Sequence, residues 1–567
     1  MQMQDLSYKL NNQVLNIEDK KNNSIVKASV EVYSLENIYT VQENTYSKKE
    51  STYSSNQVLW GDTELVEGAK VDLLVNETRD GLSFKIDACL DKLVRGVKLR
   101  LENLPLGTLI NLISEDKEIT EYGLLSNYPE GWRNTSTPLA IFRLENDKYL
   151  YVRCLDEMVR VKRFFMRKEA DGTMRIDFCL EQDGTMLENS FSAPRIDYGI
   201  TSDLETIYQE QSDYMKETYK LEEYENSSIV PQWFRNISLV IIMHMEAFTG
   251  HIFHTYEKAL EDMKKITKYV SGDKILVYLA GWEGRYYYKY GNYTPDERLG
   301  GKEKLHELVD GLHELGCKVM AMYGINIANK NIPGVNEIYQ ETEFETVSGG
   351  KYHCGSVNWE GAHHYDFNEL CQLSVGHKKW QDYLFNQIKD ATDEFDFDAA
   401  FLDIAACYTN DKNVRLYEGV VEFCDRLRTI KKDFLVSGEA FYDGLAKAMP
   451  LFQSGHTDGW MHYHDRASEK LFTRFAREFS HLCLGDPGRG STGVHEQGTN
   501  TDKVAPFRKG IIPTLSLVED TIDEHFEKVK PYLEQANEYY KRFIKWEWLE
   551  SKKRKTYSGI SLLVLNY

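Results

Sequence analysis

The sequence lacks the segments that would place a protein in a membrane or direct it into the secretory pathway. It has no run of about 18 apolar residues, which is the length that crosses a bilayer. Its first residues, MQMQDLSYKLNNQ, have neither the basic region nor the apolar region of a signal peptide. We therefore predict a protein with no membrane partner, located in the cytoplasm.

Cysteine patterns and positive charge are also scarce. The nine cysteines are scattered and include no CxxC pair, so the sequence indicates neither a disulfide framework nor a zinc site, and we predict reduced, mostly buried thiols. The 68 Lys and Arg residues against 89 Asp and Glu give a net charge of -21. Because nucleic acids and anionic membranes would repel such a chain, we expect a neutral or cationic substrate and no nucleic-acid partner.

Cofactor motifs are missing as well. The glycine-rich stretch GDPGRGSTG lacks the GK[ST] ending whose lysine reaches nucleotide phosphates. His363, His364 and Asp366 could be taken for metal ligands, but no further ligand at a familiar spacing accompanies them. We therefore predict no cofactor and no metal ion, and we keep a metal-dependent hydrolase built on these three residues as an alternative.

The first third of the chain is predicted to be a β-sandwich domain. Residues 1–200 contain short stretches of alternating apolar and polar residues, such as SIVKASVEVYSL, separated by Asn, Asp and Gly turns. Helical periodicity is scarce there, which favours an antiparallel sandwich of many strands. Residues 201–235 then switch to a charged helical pattern that is typical of a connector.

From residue 236 the pattern becomes apolar strands alternating with amphipathic helices. Eight strands are predicted, at residues 237–246, 274–282, 317–326, 397–403, 433–439, 457–463, 481–486 and 510–517. This rhythm predicts a TIM-like (β/α)8 barrel over residues 236–525, followed by a helix and a strand over 526–567. The predicted fold is therefore multidomain, with an N-terminal antiparallel β-sandwich followed by the barrel.

Two neighbouring barrel strands end in a carboxylate. The run FDAAFLD stops at Asp403, and DFLVSGE stops at Glu439. Catalytic groups of parallel barrels lie at the C-terminal ends of the strands, and a carboxylate in so apolar a run is costly unless it has a partner. Two such carboxylates supply the nucleophile and the general acid/base of a glycosidase. A structural ion pair for Asp403, or loop amides that bind Glu439, is the alternative.

Other residues near strand ends are candidates for binding a sugar. The chain contains 36 tyrosines, and aromatic rings stack on the C–H faces of sugars while their polar groups bond hydroxyls. Packing beneath a loop or capping of a helix would explain the same residues without a ligand. The candidates for substrate binding are His244, Glu246, Trp282, Tyr286, Asn326, His364 and Asp486.

Together these motifs resemble a group of retaining α-glycosidases. The order of sandwich and barrel, GW…PDERLGG after strand 2, FLD at strand 4 and GEAF at strand 5 are similar to the endo-α-N-acetylgalactosaminidases and the intracellular α-N-acetylgalactosaminidases. The resemblance covers roughly residues 236–520. It implies that Asp403 is the nucleophile, that Glu439 is the acid/base and that the partner is a carbohydrate. Such enzymes usually carry a further β-domain after the barrel.

We therefore predict a retaining glycoside hydrolase that cleaves an α-linked sugar, with an α-N-acetylgalactosaminide as the candidate substrate. An α-glucosidase or α-galactosidase is the alternative within the same class. A barrel protein that binds carbohydrate without catalysis is the alternative from another class, because a shared fold does not guarantee activity.

Overall fold

The computed structural model describes residues 15–42, 45–61, 63–110, 116–129, 135–246, 250–284, 288–351, 369–453, 470–479, 509–518 and 521–545. These residues form an antiparallel β-sandwich followed by a parallel barrel, so the predicted fold is confirmed. None of the described helices is long and apolar enough to cross a membrane.

The sandwich consists of two antiparallel sheets that enclose a common core. Val71, Leu73 and Val75 alternate with more exposed residues and point into this core, as expected for a half-buried strand. In spatial order, the described strands of the first sheet are Leu124–Tyr128, Lys162–Lys168, Met174–Glu181, Val94–Leu104, Ser24–Ser34, Ile38–Val41, Val58–Trp60 and Glu64–Leu65, with Leu15–Asp19 beside Ser24–Ser34. Those of the second are Lys117–Glu118, Thr108–Ile110, Leu139–Arg143, Tyr149–Leu155, Arg195–Thr201, Gly81–Cys89, Lys70–Glu77, Thr52–Ser55 and Ser47–Lys49, with Ser190–Ser192 beside Gly81–Cys89.

A single helix connects the sandwich to the barrel. Helix α1 (Leu204–Thr218) begins where the Asp203 side chain accepts a hydrogen bond from the Thr206 amide, which is a common way to cap a helix. One side of α1 contacts the sandwich, where Gln211 donates to Thr137. Another side contacts the barrel, where Arg474 donates to Asp213 at 2.6 Å. The connector is therefore packed between the two domains.

The barrel closes into a ring of parallel strands. We label them β1 to β8, counting as β8 two short segments separated by Pro513. The first segment of β8 pairs with β7 and the second pairs with β1, which closes the barrel. The strands are β1 (Leu239–His244), β2 (Ile275–Ala280), β3 (Lys318–Gly324), β4 (Ala399–Asp403), β5 (Leu435–Glu439), β6 (Leu451–Gln453), β7 (Arg477–Phe479) and β8 (Ile511–Ile512 with Thr514–Leu517).

Amphipathic helices cover the outside of the barrel. Helix α3 shows how the sequence ends them: the Gly316 amide bonds to the His313 carbonyl, the Cys317 amide bonds to the Leu312 carbonyl, and Gly316 takes φ +88°. A glycine is needed there because other residues rarely adopt this conformation. The described helices are α2 (Tyr256–Ile266), α3 (Gly301–Glu314), α4 (Pro333–Asn336), α5 (Tyr339–Thr342), α6 (Lys378–Phe395), α7 (Leu416–Leu427), α8 (Thr521–Glu524) and α9 (Phe526–Tyr539).

The loop after β3 contains structure of its own. Helices α4 and α5 lie in it, and a small hairpin pairs Ile327–Asn329 with Leu370–Gln372. Loops of this length in a compact domain usually serve a function.

The sixth and seventh strands lie earlier than predicted. Strands β6 and β7 each span three residues, and they precede the predicted segments 457–463 and 481–486, which lie outside the described residues. Strand β7 also contains buried Arg477 and Glu478. Three residues, two of them charged, give no apolar run that a sequence pattern could detect.

Asp398 holds the barrel together at the end opposite to the strand-end carboxylates. It lies one residue before β4 and is 3% exposed. It accepts hydrogen bonds from His313 at 2.8 Å, from Lys318 at 2.9 Å and from the Val319 amide at 3.1 Å. Burial alone would raise the pKa of Asp398, but the hydrogen bonds from His313 and Lys318 outweigh burial and lower the pKa to about 2.

Replacing this carboxylate should destabilise the fold in a pH-dependent way. Because the pKa of Asp398 is lower in the folded chain than in the unfolded chain, its ionised form contributes stability at neutral pH that is lost as the pH falls below about 4. We expect Asp398→Asn to lower the free energy of unfolding by about 2 kcal/mol at pH 7 and by less at pH 3. Urea denaturation at both pH values tests this; a loss that is equal at both would contradict it.

Candidate active site at the mouth of the barrel

The structure brings Asp403 and Glu439 together at the ends of β4 and β5. Leu402 and Gly438 are paired in the sheet, so the two carboxylates occupy the next positions on adjacent strands. Both residues are 7% exposed. The Glu439 carboxylate accepts a hydrogen bond from the Ile404 amide at 2.9 Å, directly after Asp403 in the chain. The two predicted catalytic residues therefore share one location.

The backbone turns sharply after each of these carboxylates. Ile404 has φ +55° and Ala440 has φ +56°, a left-handed conformation that is costly for a residue with a Cβ and most unusual for a β-branched one. The Ala440 amide donates to the Gln453 carbonyl at 2.7 Å on the next strand, and the Ala406 amide donates to the Glu439 carbonyl at 3.2 Å. Surrounding hydrogen bonds therefore hold both turns in place.

Tyr290 is the hydrogen-bond donor to Asp403. Its hydroxyl lies 2.6 Å from Asp403 Oδ2, and its ring is fully buried. The ring fits only because Gly324 ends β3: a Cβ at that position would lie 2.2 Å from Tyr290 Cδ2. Because a hydroxyl donor stabilises the ionised form of a carboxylate, Tyr290 favours the charged state of Asp403. The sequence analysis singled out the nearby Tyr286 and missed Tyr290.

Glu246 lies near the end of β1 and is ion-paired. Arg298 Nη2 contacts both carboxylate oxygens of Glu246, at 2.5 and 2.7 Å, and also contacts Asp296 at 3.1 Å. Glu246 is 1% exposed, whereas half of the Arg298 side chain is accessible to solvent. The PDERLGG segment of the sequence therefore supplies a cation to the candidate site.

Glu283 is a further carboxyl at the barrel mouth that the sequence analysis missed. It follows Trp282 just after β2, and its side chain is completely buried. Neither of its oxygens has a hydrogen-bond partner in another described residue. Burial raises the pKa of Glu283 well above its usual value, and the negative charges of Asp403 and Glu246 raise it further. Its position at a strand end, the criterion that identified Asp403, could have revealed it.

Three predicted substrate-binding residues, Trp282, His244 and Asn326, are buried. The Trp282 indole is fully buried, donates to the Met322 carbonyl at 3.1 Å and packs edge-on against Phe397, so its position matches the packing alternative. His244 is 3% exposed and packs near Phe253. Asn326 donates to the Ile404 carbonyl at 3.4 Å, and its Oδ1 has no hydrogen-bond partner among the described residues. Asn326 is therefore close to both catalytic candidates.

The remaining predicted site residues, Tyr286, His364 and Asp486, lie outside the described residues. The same is true of His363 and Asp366, the other candidate metal ligands. Within the described part of the chain, no three His, Cys, Asp or Glu side chains are arranged to hold a metal ion.

Solved structures of sugar-cleaving enzymes share the fold of this chain. Solved structures with the same sandwich and barrel include glycoside hydrolases that act on α-linked galactose derivatives. No protein-family model matches the chain, and no curated protein sequence matches it.

Among these structures is the ligand-free alpha-N-acetylgalactosaminidase NagBb from Bifidobacterium bifidum, with a TM-score of 0.60, 11% identity, and coverage of 89% of this chain and 92% of that one. Its GalNAc complex matches with a TM-score of 0.59 and 12% identity, covering 82% and 81%. The GH36 alpha-galactosidase AgaA from Geobacillus stearothermophilus matches with a TM-score of 0.51 and 13% identity, covering 93% and 75%. At these identities the likeness establishes a shared fold.

Glu283 should make the stability of the protein depend on pH. Its raised pKa means that the folded chain keeps a proton which the unfolded chain releases above about pH 4.5, so stability falls as the pH rises. Glu283→Gln keeps the shape of the side chain and removes its ability to ionise. Relative to the wild type, we expect the folding equilibrium constant of the variant to rise as the pH rises above 5, by at most roughly tenfold per pH unit. Urea denaturation across this range tests this; parallel stability curves would contradict it.

Proposed function

We propose that the protein is a retaining glycoside hydrolase that cleaves an α-linked sugar, with Asp403 as the nucleophile and Glu439 as the general acid/base. One observation carries the proposal: two buried carboxylates end adjacent barrel strands, and one of them is bound by the amide that follows the other. A retaining mechanism needs carboxyl groups about 5 Å apart, a spacing that neighbouring strand ends can provide.

The roles follow from the different partners of the two carboxylates. Asp403 accepts the Tyr290 hydroxyl, which favours the charged form that a nucleophile needs. The backbone amide donated to Glu439 favours its charged form, but the negative charge of Asp403 beside it opposes ionisation and so favours the protonated form that an acid needs. We therefore assign the charged form to Asp403 and the protonated form to Glu439 at the start of the reaction.

In the first step an Asp403 oxygen attacks the anomeric carbon, the bond to the leaving oxygen breaks, and Glu439 donates its proton to that oxygen. This forms a covalent glycosyl-enzyme. In the second step Glu439 takes a proton from water, the water oxygen attacks the anomeric carbon, and Asp403 is released. The two inversions give net retention, and the sum is hydrolysis of one glycosidic bond.

The sugar is proposed from the resemblance and from the related folds. The motifs around Asp403 and Glu439 resemble α-N-acetylgalactosaminidases, and the structures that share the fold include an alpha-N-acetylgalactosaminidase and an alpha-galactosidase. We propose an α-N-acetylgalactosaminide as the first substrate to test, with an α-galactoside or an α-glucoside as the alternative.

Removing either carboxylate should abolish turnover, and azide should tell the two roles apart. In a panel of α- and β-linked aryl glycosides, we expect the wild type to hydrolyse one α-glycoside and Asp403→Ala and Glu439→Ala to lose roughly 10³-fold or more in kcat. In Asp403→Ala, azide that attacks the substrate in place of the missing carboxylate should give a β-glycosyl azide. Azide that attacks the glycosyl-enzyme of Glu439→Ala should give an α-glycosyl azide.

The products are identified by nuclear magnetic resonance. The opposite stereochemistry, or full activity of Asp403→Ala, would reject the assigned roles. Sugar binding without product release in any member of the panel would favour a carbohydrate-binding protein instead.

Tyr290 should assist the nucleophile. Tyr290→Phe removes one hydrogen bond to a charged carboxylate, which is worth about 1.5–3 kcal/mol, so we expect kcat/KM to fall roughly ten- to hundredfold. Tyr256→Phe is a matched control, because the Tyr256 hydroxyl is equally buried and donates to the Trp282 carbonyl rather than to a catalytic candidate. Equal rates for the two variants would contradict this role of Tyr290.

A further inference from the structure

The β-sandwich is bonded directly to the loop that follows β5. Four residues after Glu439, the Asp443 amide donates to the Ser136 carbonyl at 2.7 Å. The Asp443 carboxylate accepts the Tyr128 hydroxyl at 2.6 Å on one oxygen and the Thr137 hydroxyl at 2.7 Å on the other. Tyr128 ends a sandwich strand, and residues 136 and 137 precede the next one. Three sandwich residues therefore hold a single barrel residue.

This contact is buried and continues into the connector helix. Asp443 and Thr137 are completely buried, and Tyr128 is 1% exposed. Gln211 of α1 donates to the Thr137 hydroxyl at 2.8 Å, and the Tyr128 and Tyr219 hydroxyls lie 3.2 Å apart. Buried hydrogen bonds of this kind favour one arrangement of their members, because leaving a buried donor or acceptor unpaired is costly. We call Asp443 with Tyr128 and Thr137 the interdomain clamp.

The loop after β4 is fastened to the sandwich as well. The Tyr408 hydroxyl donates to the Val159 carbonyl at 3.1 Å. Asn410 donates to the Gln182 carbonyl at 2.8 Å and accepts the Gly184 amide at 2.7 Å. The loops that leave both catalytic candidates are therefore anchored on the same neighbouring domain.

We propose that Asp443 is a positioning residue for the candidate acid/base Glu439, and that the sandwich acts through the interdomain clamp as part of the catalytic site. The inference rests on the proposed function of Glu439. Only Ala440, Phe441 and Tyr442 separate Glu439 from Asp443, and Ala440 has the left-handed backbone described above. With both ends of this short segment fixed, movement of Asp443 must be passed on to Glu439.

The clamp should respond to pH because its acceptor is ionisable. Burial raises the pKa of Asp443 to about 6, although the hydrogen bonds from Tyr128 and Thr137 oppose the shift. A protonated Asp443 can accept fewer hydrogen bonds than a carboxylate, so one donor must rearrange below this pH. The ionisable groups that face Asp443 are Lys162 and Tyr128 of the sandwich, Tyr214 of α1, Tyr219 directly after α1, Tyr417 of α7, and Tyr442. Lys162 is the cation of this set and is paired with Asp156 at 2.8 Å.

The test compares two buried aspartates at opposite ends of the barrel. For Asp443→Asn we expect kcat on the aryl glycoside to fall roughly five- to twentyfold at pH 7.5 with little change in KM, because a small misplacement of a catalytic group is costly. The ratio of wild-type to variant kcat should approach one at pH 5, where wild-type Asp443 is protonated. Titration of Glu439 itself cancels in this ratio.

Asp398→Asn is the control, since it removes a buried carboxylate at the far end of the barrel. It should lower stability and leave kcat and its pH dependence unchanged. If Asp443→Asn does not fold, Tyr128→Phe removes one clamp donor and should lower kcat in the same pH-dependent way. A ratio of kcat values that does not vary with pH, or a variant as active as the wild type, would overturn the proposal.

Hydrogen exchange separates this inference from the proposed function. If the wild type hydrolyses no glycoside, the proposed function fails, and exchange in residues 440–447 still tests the clamp. Faster exchange there in Asp443→Asn than in Asp398→Asn supports an interdomain clamp, and equal exchange overturns it.

Discussion

Four carboxyl groups lie close together at the barrel mouth, and all of them are buried. Asp403, Glu439, Glu246 and Glu283 are each at most 7% exposed. Charges of one sign repel strongly in a buried site, so four ionised groups could not stay together without compensation. Each carboxyl group is compensated differently. Glu246 is ion-paired with Arg298, and Asp403 accepts a hydrogen bond from the Tyr290 hydroxyl. Glu439 accepts a backbone amide, and the raised pKa of Glu283 favours its protonated form. Different protonation states within one cluster are also what acid and nucleophile chemistry requires.

Sequence patterns predicted the two carboxylates at the ends of β4 and β5, because each of them ends a local apolar run. Strands β4 and β5 are fully buried, and such strands appear in a sequence as apolar runs whose final acid stands out. The same criterion applies to Glu283, which directly follows the predicted second strand, although a glycine and a tryptophan separate it from the end of β2. Strands of three residues, such as β6, are too short to produce a pattern at all.

Contacts between distant parts of the chain left no signal in the sequence. Tyr290 is 113 residues from Asp403, and Tyr128 is 315 residues from Asp443. A buried tyrosine in a loop gives no sign of which carboxylate it will meet, because the meeting depends on how strands and domains pack. Even Gly324, whose missing side chain admits the Tyr290 ring, looks in the sequence like any glycine at a strand end.

The turns that follow β4 and β5 explain why the barrel is packed against the sandwich. Ile404 and Ala440 hold left-handed conformations that an unrestrained loop would relax, since each costs on the order of 1–3 kcal/mol. Hydrogen bonds within the barrel hold the first residues of these turns, and bonds to the sandwich hold the loops a few residues further on. A barrel without its sandwich would keep both carboxylates but would lose the interdomain hydrogen bonds that restrain the loops after them. The sandwich therefore contributes to the site by making the loops after β4 and β5 more rigid.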